Sequence, residues 1–182
     1  MRKQKFMFYA LKMCFWIFVV FLMQLFISGF TELFLLDSSA LSQFWRFFTA
    51  IFLHGSFVHL LYNVFALALF GSILERFIGS RKFFIVFFAA GVLANIVSVN
   101  FYDASLGASG AIFGVIGALI IIRPWMVVWA FGLPMPLILA GVLWAVGDAI
   151  GLFIPSGVAN LAHLSGMFFG IILGFLYRKS KS

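Results

Sequence analysis

Charge and cysteine are both scarce in this 182-residue chain, in which 9% of the residues are charged and 65% are hydrophobic. An average soluble domain has about 25% charged residues. A globule of this length cannot bury so much apolar surface, so the composition excludes a soluble domain and a disordered chain. The single cysteine, Cys14, excludes an internal disulfide and a thiolate metal cluster, and with them a secreted disulfide scaffold.

Acidic residues are fewer than basic ones: five stand against twelve, which gives a formal net charge of +7. The basic residues form no stripe interleaved with aromatic side chains, as a nucleic-acid surface would, and instead flank apolar runs. That distribution is typical of a membrane topology signal. We therefore expect the lipid bilayer, and no nucleic acid, as a partner.

Long apolar runs fill most of the chain, and a transmembrane helix needs about 20 mostly apolar residues. The runs predict an all-α fold, a polytopic bundle of six transmembrane helices that forms one membrane domain over residues 1–182. The predicted spans are 10–30, 56–78, 83–102, 107–122, 134–153 and 158–177, with an outer interfacial loop at 31–55. Pro134 and Pro136 suit the first turn of the fifth helix, and Pro155–Gly157 predicts a turn before the sixth.

The orientation follows from the basic residues, eleven of which fall on one side of a six-span protein. These eleven are Arg2, Lys3, Lys5, Lys12, Arg76, Arg81, Lys82, Arg123, Arg178, Lys179 and Lys181. Only Arg46 falls on the other side. The positive-inside rule then predicts a multi-pass protein of the plasma membrane with both termini in the cytoplasm.

Four polar side chains are predicted at one depth near the outer face. His59 and Asn63 lie in the first two turns of the second span, Ser109 begins the fourth, and His163 lies in the second turn of the sixth. All three spans enter from the outer side, and polar groups within a membrane usually face the bundle interior. The coincidence of depth predicts a functional site.

Glycines on the fourth and sixth spans favour a close approach of the two helices. They recur at spacings of three and four: Gly110, Gly114 and Gly117 on the fourth span, and Gly166, Gly170 and Gly174 on the sixth. Small residues at such spacings let membrane helices pack backbone to backbone. This packing would bring Ser109 toward His163.

These residue types fit nucleophilic catalysis. A serine hydroxyl needs a base within hydrogen-bond reach, and a neutral histidine can supply one. The Asn63 amide, the His59 ring and backbone N–H groups at the start of the fourth span could stabilise an oxyanion. No carboxylate is expected to orient His163: we interpret Asp148 as a hydrogen-bonded polar group at the cavity rim, whose change to Asn would keep most activity.

The ordered motifs resemble those of the rhomboid family of intramembrane serine proteases, in its six-span prokaryotic form. The motifs are His54-x4-His59-x3-Asn63, Gly107-x-Ser109-Gly110, Ala162-His163-x-x-Gly166, Trp45-Arg46 and Gly71-x3-Glu75-x3-Gly79. They cover residues 40–175 in the family's order and spacing.

The resemblance implies a Ser–His dyad without a third acid, no cofactor and no metal. Ser109 would be the nucleophile and His163 the base, with His59 and Asn63 in the oxyanion hole and His54 in a structural role. Gly107 and Gly110 flank the serine. Phe113 replaces an aromatic hydroxyl that often stacks on the histidine in the family, so the stack is expected without the hydroxyl hydrogen bond. Expected substrates are single-span membrane proteins cut near the outer face.

Other classes fit less well. The chain has no His-Glu-x-x-His sequence for a zinc protease. Tyr102-Asp103 and Gly147-Asp148 faintly resemble aspartyl intramembrane protease motifs, but position 145 is Ala and Asp103 belongs to a loop. A transporter usually shows inverted repeats and a mid-membrane site. An inactive substrate-binding relative would lack the serine or the histidine, and both are present.

Overall fold

The computed structural model describes residues 6–154 and 157–178. Within them, six long helices follow one another: α1 (Tyr9–Phe26), α2 (Phe57–Ile78, π-helical at Leu67–Gly71), α3 (Ser80–Ser98), α4 (Ser109–Ile122), α5 (Leu137–Gly151) and α6 (Asn160–Tyr177). The turn predicted at Pro155–Gly157 and the basic residues 2, 3, 5, 179 and 181 lie wholly or partly outside the described residues. The mostly helical chain is an all-α, polytopic membrane fold.

Helix length separates the six helices into two groups. Among the described residues, α1, α2, α3 and α6 are long and apolar enough to cross a membrane. Helices α4 and α5 have 14 and 15 residues, which at 1.5 Å per residue is about 21–23 Å. All but four residues of α4 are buried, so this helix is apolar all round because it lies inside the bundle.

Helix α4 packs against α6 through glycines, as the sequence predicts. A Cβ atom on Gly166 would overlap the carbonyl oxygen of Gly110, and one on Gly170 would overlap that of Gly114. On another side of α4, a Cβ on Gly110 would lie 2.9 Å from the Ala94 Cβ of α3. Backbone therefore contacts backbone across the α4–α6 interface, with no side chain between.

A β-hairpin, and not the first turn of a helix, contains the two prolines before α5. Strands β3 (Val127–Ala130) and β4 (Leu133–Pro136) pair antiparallel, with Trp129 opposite Pro134. The prediction for Pro134 and Pro136 was wrong because the two residues before β4, Phe131 and Gly132, have positive φ angles of 55° and 78°. Two such residues make a tight hairpin turn, and α5 begins only at Leu137.

The connection between α1 and α2 is folded rather than open. It contains short helical turns at Phe30–Phe34, Ser38–Leu41, Arg46–Thr49 and Ala50–Phe52, and a short strand, β1 (Leu36–Asp37). Strand β1 pairs with β2 (Ala104–Ser105), which lies just before Ser109. The connection therefore fixes the segment that leads into α4.

Arg46 and Asp37 order this connection. The Arg46 guanidinium donates to the Leu35 carbonyl oxygen at 2.8 Å and to Gln43 Oε1 at 2.7 Å, and it lies 3.4 Å from Asp37 Oδ2. A hydrogen bond from the Ser39 hydroxyl holds the pKa of Asp37 below its usual value, with a smaller contribution from Arg46.

Glu75 ties the start of α1 to the end of α2. Its carboxylate is fully buried and accepts the backbone N–H groups of Tyr9 and Ala10 at 2.9 and 3.0 Å, and the Ser80 hydroxyl. The first N–H groups of a helix have no partner within the helix. A carboxylate satisfies two of them here and also complements the positive end of the helix dipole.

Candidate active site

Ser109 and His163 are in direct contact. Ser109 is the first residue of α4 and His163 the fourth residue of α6. The Ser109 Oγ lies 2.8 Å from His163 Nε2. The glycine-mediated packing of α4 against α6 brings the two helix starts together, so residues 54 positions apart in the sequence become hydrogen-bonded neighbours.

Gly107 leaves room for His59 beside the serine. The φ angle of Gly107 is +126°, a conformation that residues with a Cβ rarely adopt, and a Cβ there would lie 2.8 Å from His59 Cε1. The Gly107 N–H donates to the Ala50 carbonyl oxygen at 2.9 Å. Position 107 therefore requires glycine both for its backbone and for the histidine ring packed on it.

Phe113 fixes the plane of the His163 ring. The two rings are stacked, with centroids 4.4 Å apart and planes within 4° of each other. Phe113 lies one turn after Ser109 on α4, so the same helix that carries the serine also supports the imidazole. The predicted stacking is present.

His59 and Asn63 line a cavity of about 1530 Å³ together with Ser109 and His163. Ser56 caps α2, its hydroxyl accepting the His59 N–H at 3.1 Å. The Asn63 amide nitrogen donates to the His59 carbonyl oxygen at 2.9 Å. Within the described part of the chain its buried Oδ1 has no hydrogen-bond partner. The Asn63 side chain therefore forms no hydrogen bond to another described helix.

The cavity extends beyond the polar residues along α2 and α5. Phe70 of α2 and Trp144 of α5 also line it, with their ring centroids 6.0 Å apart. Its wall is therefore polar around Ser109 and apolar farther along the helices. Such a space can hold a ligand that is polar where it faces Ser109 and apolar where it faces the helices.

His54 lies beside the site and outside the long helices. It is almost fully buried, its Nδ1 lies 3.3 Å from the Phe52 carbonyl oxygen, and its ring centroid is 5.0 Å from that of His59. Burial, with a smaller contribution from the neighbouring His59, lowers the pKa of His54 to about 4. His54 therefore stays neutral near pH 7 and supports the His59 ring.

Asp148 contradicts the expectation that no carboxylate pairs with His163. Its Oδ1 lies 2.9 Å from His163 Nδ1, the ring nitrogen opposite the one that faces Ser109. The prediction failed because spacing along the chain says nothing about which face of α5 packs on α6. A usable signal existed: both residues were predicted about one to two turns from the outer ends of adjacent, antiparallel spans, and therefore at one depth.

Tyr102 is a residue that the sequence did not single out for this site. Its hydroxyl accepts the Leu161 N–H at 3.0 Å, near the start of α6, and its side chain lines the cavity. No pattern in the sequence indicates this contact, because it joins a loop to a helix end 59 residues later.

The arrangement provides a hydroxyl, a base on it and a carboxylate on the base, which together can activate a nucleophile. His54, His59 and His163 do not form a metal site with other residues: among the described residues no three His, Cys, Asp or Glu side chains converge to hold a metal ion.

Comparison with known proteins gives the same family throughout. A family model described as the Rhomboid domain matches residues 41–180. The Bacillus subtilis protein YdcA is 34% identical over 76% of this chain and 70% of its own length. Rhomboid protease GlpG of Haemophilus influenzae is 32% identical over 76% of this chain and 72% of its own length.

Longer relatives match as well. RHOMBOID-like protein 7 of Arabidopsis thaliana is 33% identical over 74% of this chain, which spans only 43% of that protein. The match to the family model covers most of the chain, and it includes the serine, the three histidines and helices α2 to α6, with α1 before it. The chain belongs to the rhomboid family, the intramembrane serine proteases, and is a multi-pass membrane hydrolase of that kind.

Proposed function

We propose that this protein hydrolyses peptide bonds within transmembrane segments of single-span membrane proteins, near the outer face, with Ser109 as the nucleophile and His163 as the general base. The observation that carries the proposal is the 2.8 Å separation of Ser109 Oγ and His163 Nε2 at the wall of a large cavity. Family membership supports an activity on membrane proteins within the bilayer.

In the first step the Ser109 Oγ attacks the carbonyl carbon of the scissile bond while its proton passes to His163 Nε2. The carbonyl oxygen becomes an oxyanion. As the tetrahedral intermediate collapses, the C–N bond breaks and His163 returns the proton to the leaving amine. A water molecule, deprotonated by His163, then hydrolyses the acyl-enzyme and restores the serine hydroxyl.

The oxyanion would be stabilised by donors that surround Ser109. Backbone N–H groups at the start of α4 have no partner within the helix. The His59 ring and the Asn63 amide line the same cavity, and an amide nitrogen has a second hydrogen beyond the one donated to the His59 carbonyl. These groups act mainly in the transition state, where charge develops on the oxygen.

The substrate must unwind locally to be cut, because the carbonyl and N–H groups of a helix are hydrogen-bonded and shielded. Glycine or proline near the scissile bond would favour unwinding. His59 packs on Gly107 beside the serine, and this crowding favours an extended segment over an intact helix at Ser109.

A covalent serine probe tests the nucleophile. A fluorophosphonate should label the wild-type protein at Ser109 and should not label Ser109→Ala. Ser165→Ala is the matched control, because the Ser165 hydroxyl on α6 donates its hydrogen to the backbone, to the Leu161 carbonyl oxygen at 2.7 Å. Labelling elsewhere in Ser109→Ala, with cleavage of a reconstituted single-span substrate retained, would refute the proposal.

The orientation is a separate part of the proposal. The distribution of basic residues supports a plasma-membrane protein with both termini in the cytoplasm and the Ser109 end of the bundle outside. Topology reporters fused after Ser182 and inserted near Asp103 should report opposite sides of the membrane. A C-terminus on the outer side would place Ser109 near the cytoplasmic face instead.

A further inference from the structure

We propose that Asp148 is a positioning residue that holds His163 in the tautomer and orientation required to activate Ser109, so that the site operates as a Ser–His–Asp triad. The inference rests on the proposed serine mechanism and adds a component that neither the sequence motifs nor the resemblance implies.

The two nitrogens of the His163 ring contact Asp148 on one side and Ser109 on the other. Asp148 Oδ1 is 2.9 Å from His163 Nδ1, and Ser109 Oγ is 2.8 Å from Nε2. A neutral imidazole carries one N–H. Since a carboxylate can only accept, the hydrogen lies on Nδ1, and Nε2 keeps the lone pair that receives the serine proton.

Two supports from different helices hold the ring. Phe113 of α4 stacks on its face at 4.4 Å, and Asp148 of α5 binds its Nδ1 edge. The stack fixes the plane of the ring but leaves the ring free to rotate within that plane. The carboxylate removes this freedom and directs Nε2 at the serine.

The surroundings of Asp148 are costly for a carboxylate unless it has a cationic partner. Its side chain is 10% exposed, and the residue lies in the last turn of α5, the negative end of the helix dipole. In the described chain its Oδ2 has no hydrogen-bond partner. Buried polar atoms usually have a hydrogen-bond partner, so Asp148 is held at this position at a cost in stability.

The imidazolium formed during catalysis is the partner that offsets this cost. When the Ser109 proton moves to His163 Nε2, the ring becomes positively charged and lies 2.9 Å from Asp148 Oδ1. The proton stays on the ring until it passes to the leaving amine. Asp148 takes up no proton; it stabilises the charged ring and preserves the Nδ1–H.

Comparison of Asp148→Asn with Asp148→Ala tests the role. The Asn side chain has nearly the shape of Asp, but its NH2 group can donate to Nδ1 and so drive the hydrogen to Nε2, the wrong nitrogen. We expect Asp148→Asn to lower kcat by about 10⁴-fold with little change in KM, the loss seen when a triad Asp becomes Asn. Asp148→Ala, which leaves space for water and imposes no tautomer, should be equally or less impaired.

A purely structural role gives the opposite order. If Asp148 only packs α5 against α6, the isosteric Asn variant is nearly wild type and Ala is the impaired one. Asp148→Asn with more than a tenth of the wild-type kcat, or with more activity than Asp148→Ala, would overturn the inference. Glu32→Gln, which changes an exposed carboxylate in the α1–α2 connection, is the control for removing one negative charge.

A measurement on the wild-type protein keeps the test independent of how the variants fold. Nitrogen-15 NMR of labelled histidines at neutral pH distinguishes a protonated from an unprotonated ring nitrogen, and His163→Ala identifies the His163 signals. We expect hydrogen on Nδ1 and none on Nε2; the reverse would overturn the inference. Full cleavage by Ser109→Ala refutes the serine mechanism itself, whereas an inactive Ser109→Ala beside an active Asp148→Asn refutes only the role of Asp148.

Discussion

Two buried carboxylates lie toward opposite ends of the helix bundle and are satisfied in opposite ways. Glu75 is fully buried, and its two oxygens accept three hydrogen bonds, from Tyr9, Ala10 and Ser80. Asp148 has one hydrogen-bonded oxygen, on His163, and within the described residues its other oxygen has no partner. Along α2, Glu75 is 16 residues from His59, or about 24 Å.

The difference supports our proposal that Glu75 marks a structural end of the molecule and Asp148 a catalytic one. Around Glu75 each hydrogen bond fixes the start of α1 on the end of α2. Around Ser109, two buried polar atoms, Asn63 Oδ1 and Asp148 Oδ2, have no partner among the residues that the structure describes. Unsatisfied polar atoms destabilise a fold, so their concentration at one end indicates that this end is shaped for chemistry.

Ser109→Ala and His163→Ala should have the largest effect, the loss of all measurable cleavage. Ser109→Ala removes the attacking oxygen, and His163→Ala removes the base that accepts its proton. Because both residues begin their helices beside a cavity, the melting temperature should change by only a few degrees. Cleavage of a reconstituted single-span substrate is the assay, with Ser165→Ala as a control that retains activity. Substantial substrate cleavage by purified Ser109→Ala would contradict the proposal that the Ser109 end of the molecule is the catalytic one.

Asn63→Ala and His59→Ala should have the next largest effect. Removal of an oxyanion donor typically lowers kcat by about 10²–10³-fold and changes substrate affinity little. His59→Ala should also lose stability, because the ring packs against Gly107 and His54. Steady-state kinetics and thermal melting of each variant separate the two effects. A structural role for Asn63 would appear as a lower melting temperature with kcat nearly intact.

Acid should weaken the site end of the molecule through His54. The pKa of His54 is lowered by burial to about 4 in the folded protein, against about 6.5 in an unfolded chain. The contribution of His54 to the free energy of unfolding is fully present above pH 6.5. It is lost as the pH falls from 6.5 toward 4, because the histidine is protonated in the unfolded chain before it is protonated in the folded protein. The full loss in the free energy of unfolding is about 3 kcal/mol.

Thermal melting between pH 7.5 and 4.5 measures how steeply the melting temperature falls with pH. We expect a smaller fall in His54→Gln than in the wild-type protein. An unchanged slope in His54→Gln would assign the acid sensitivity to other groups.

Glu75→Gln should give the smallest change in catalysis and a measurable change in stability. It replaces one accepting oxygen at the start of α1 by a donor, which leaves a buried N–H or hydroxyl without its acceptor and costs about 1–3 kcal/mol. The melting temperature should fall while kcat of the folded protein stays within about twofold. The comparison with Asp148→Asn is direct, since both changes convert a buried carboxylate to its amide. A fall in kcat at constant stability for Glu75→Gln would remove the distinction between the two ends.

Much of the fold could be predicted because a bilayer restricts the choices. Apolar runs must be helical where every backbone group needs an internal partner, so composition leads directly to the helices. The glycine spacing on α4 and α6 predicted their close packing, and with it the contact of Ser109 with His163. The family resemblance added the identity of the residues around that contact.

The hairpin before α5 could not be predicted from its prolines alone. Pro134 and Pro136 are compatible with a helix start and with an edge strand. The choice is made by the turn at Phe131 and Gly132, whose positive φ angles pair β3 with β4. Turn geometry at a non-glycine residue such as Phe131 leaves no clear mark on the sequence.

The sequence by itself determined a membrane-embedded helical protein with a serine, three histidines and an asparagine at fixed places along its helices. Apolar runs are local properties, and they indicated where along the chain the long helices lie. Only the tertiary structure decided which helix faces meet. Asp148 binds His163 because the face of α5 that carries Asp148 is turned toward α6. The orientation of one packed helix relative to another depends on all the side chains between them.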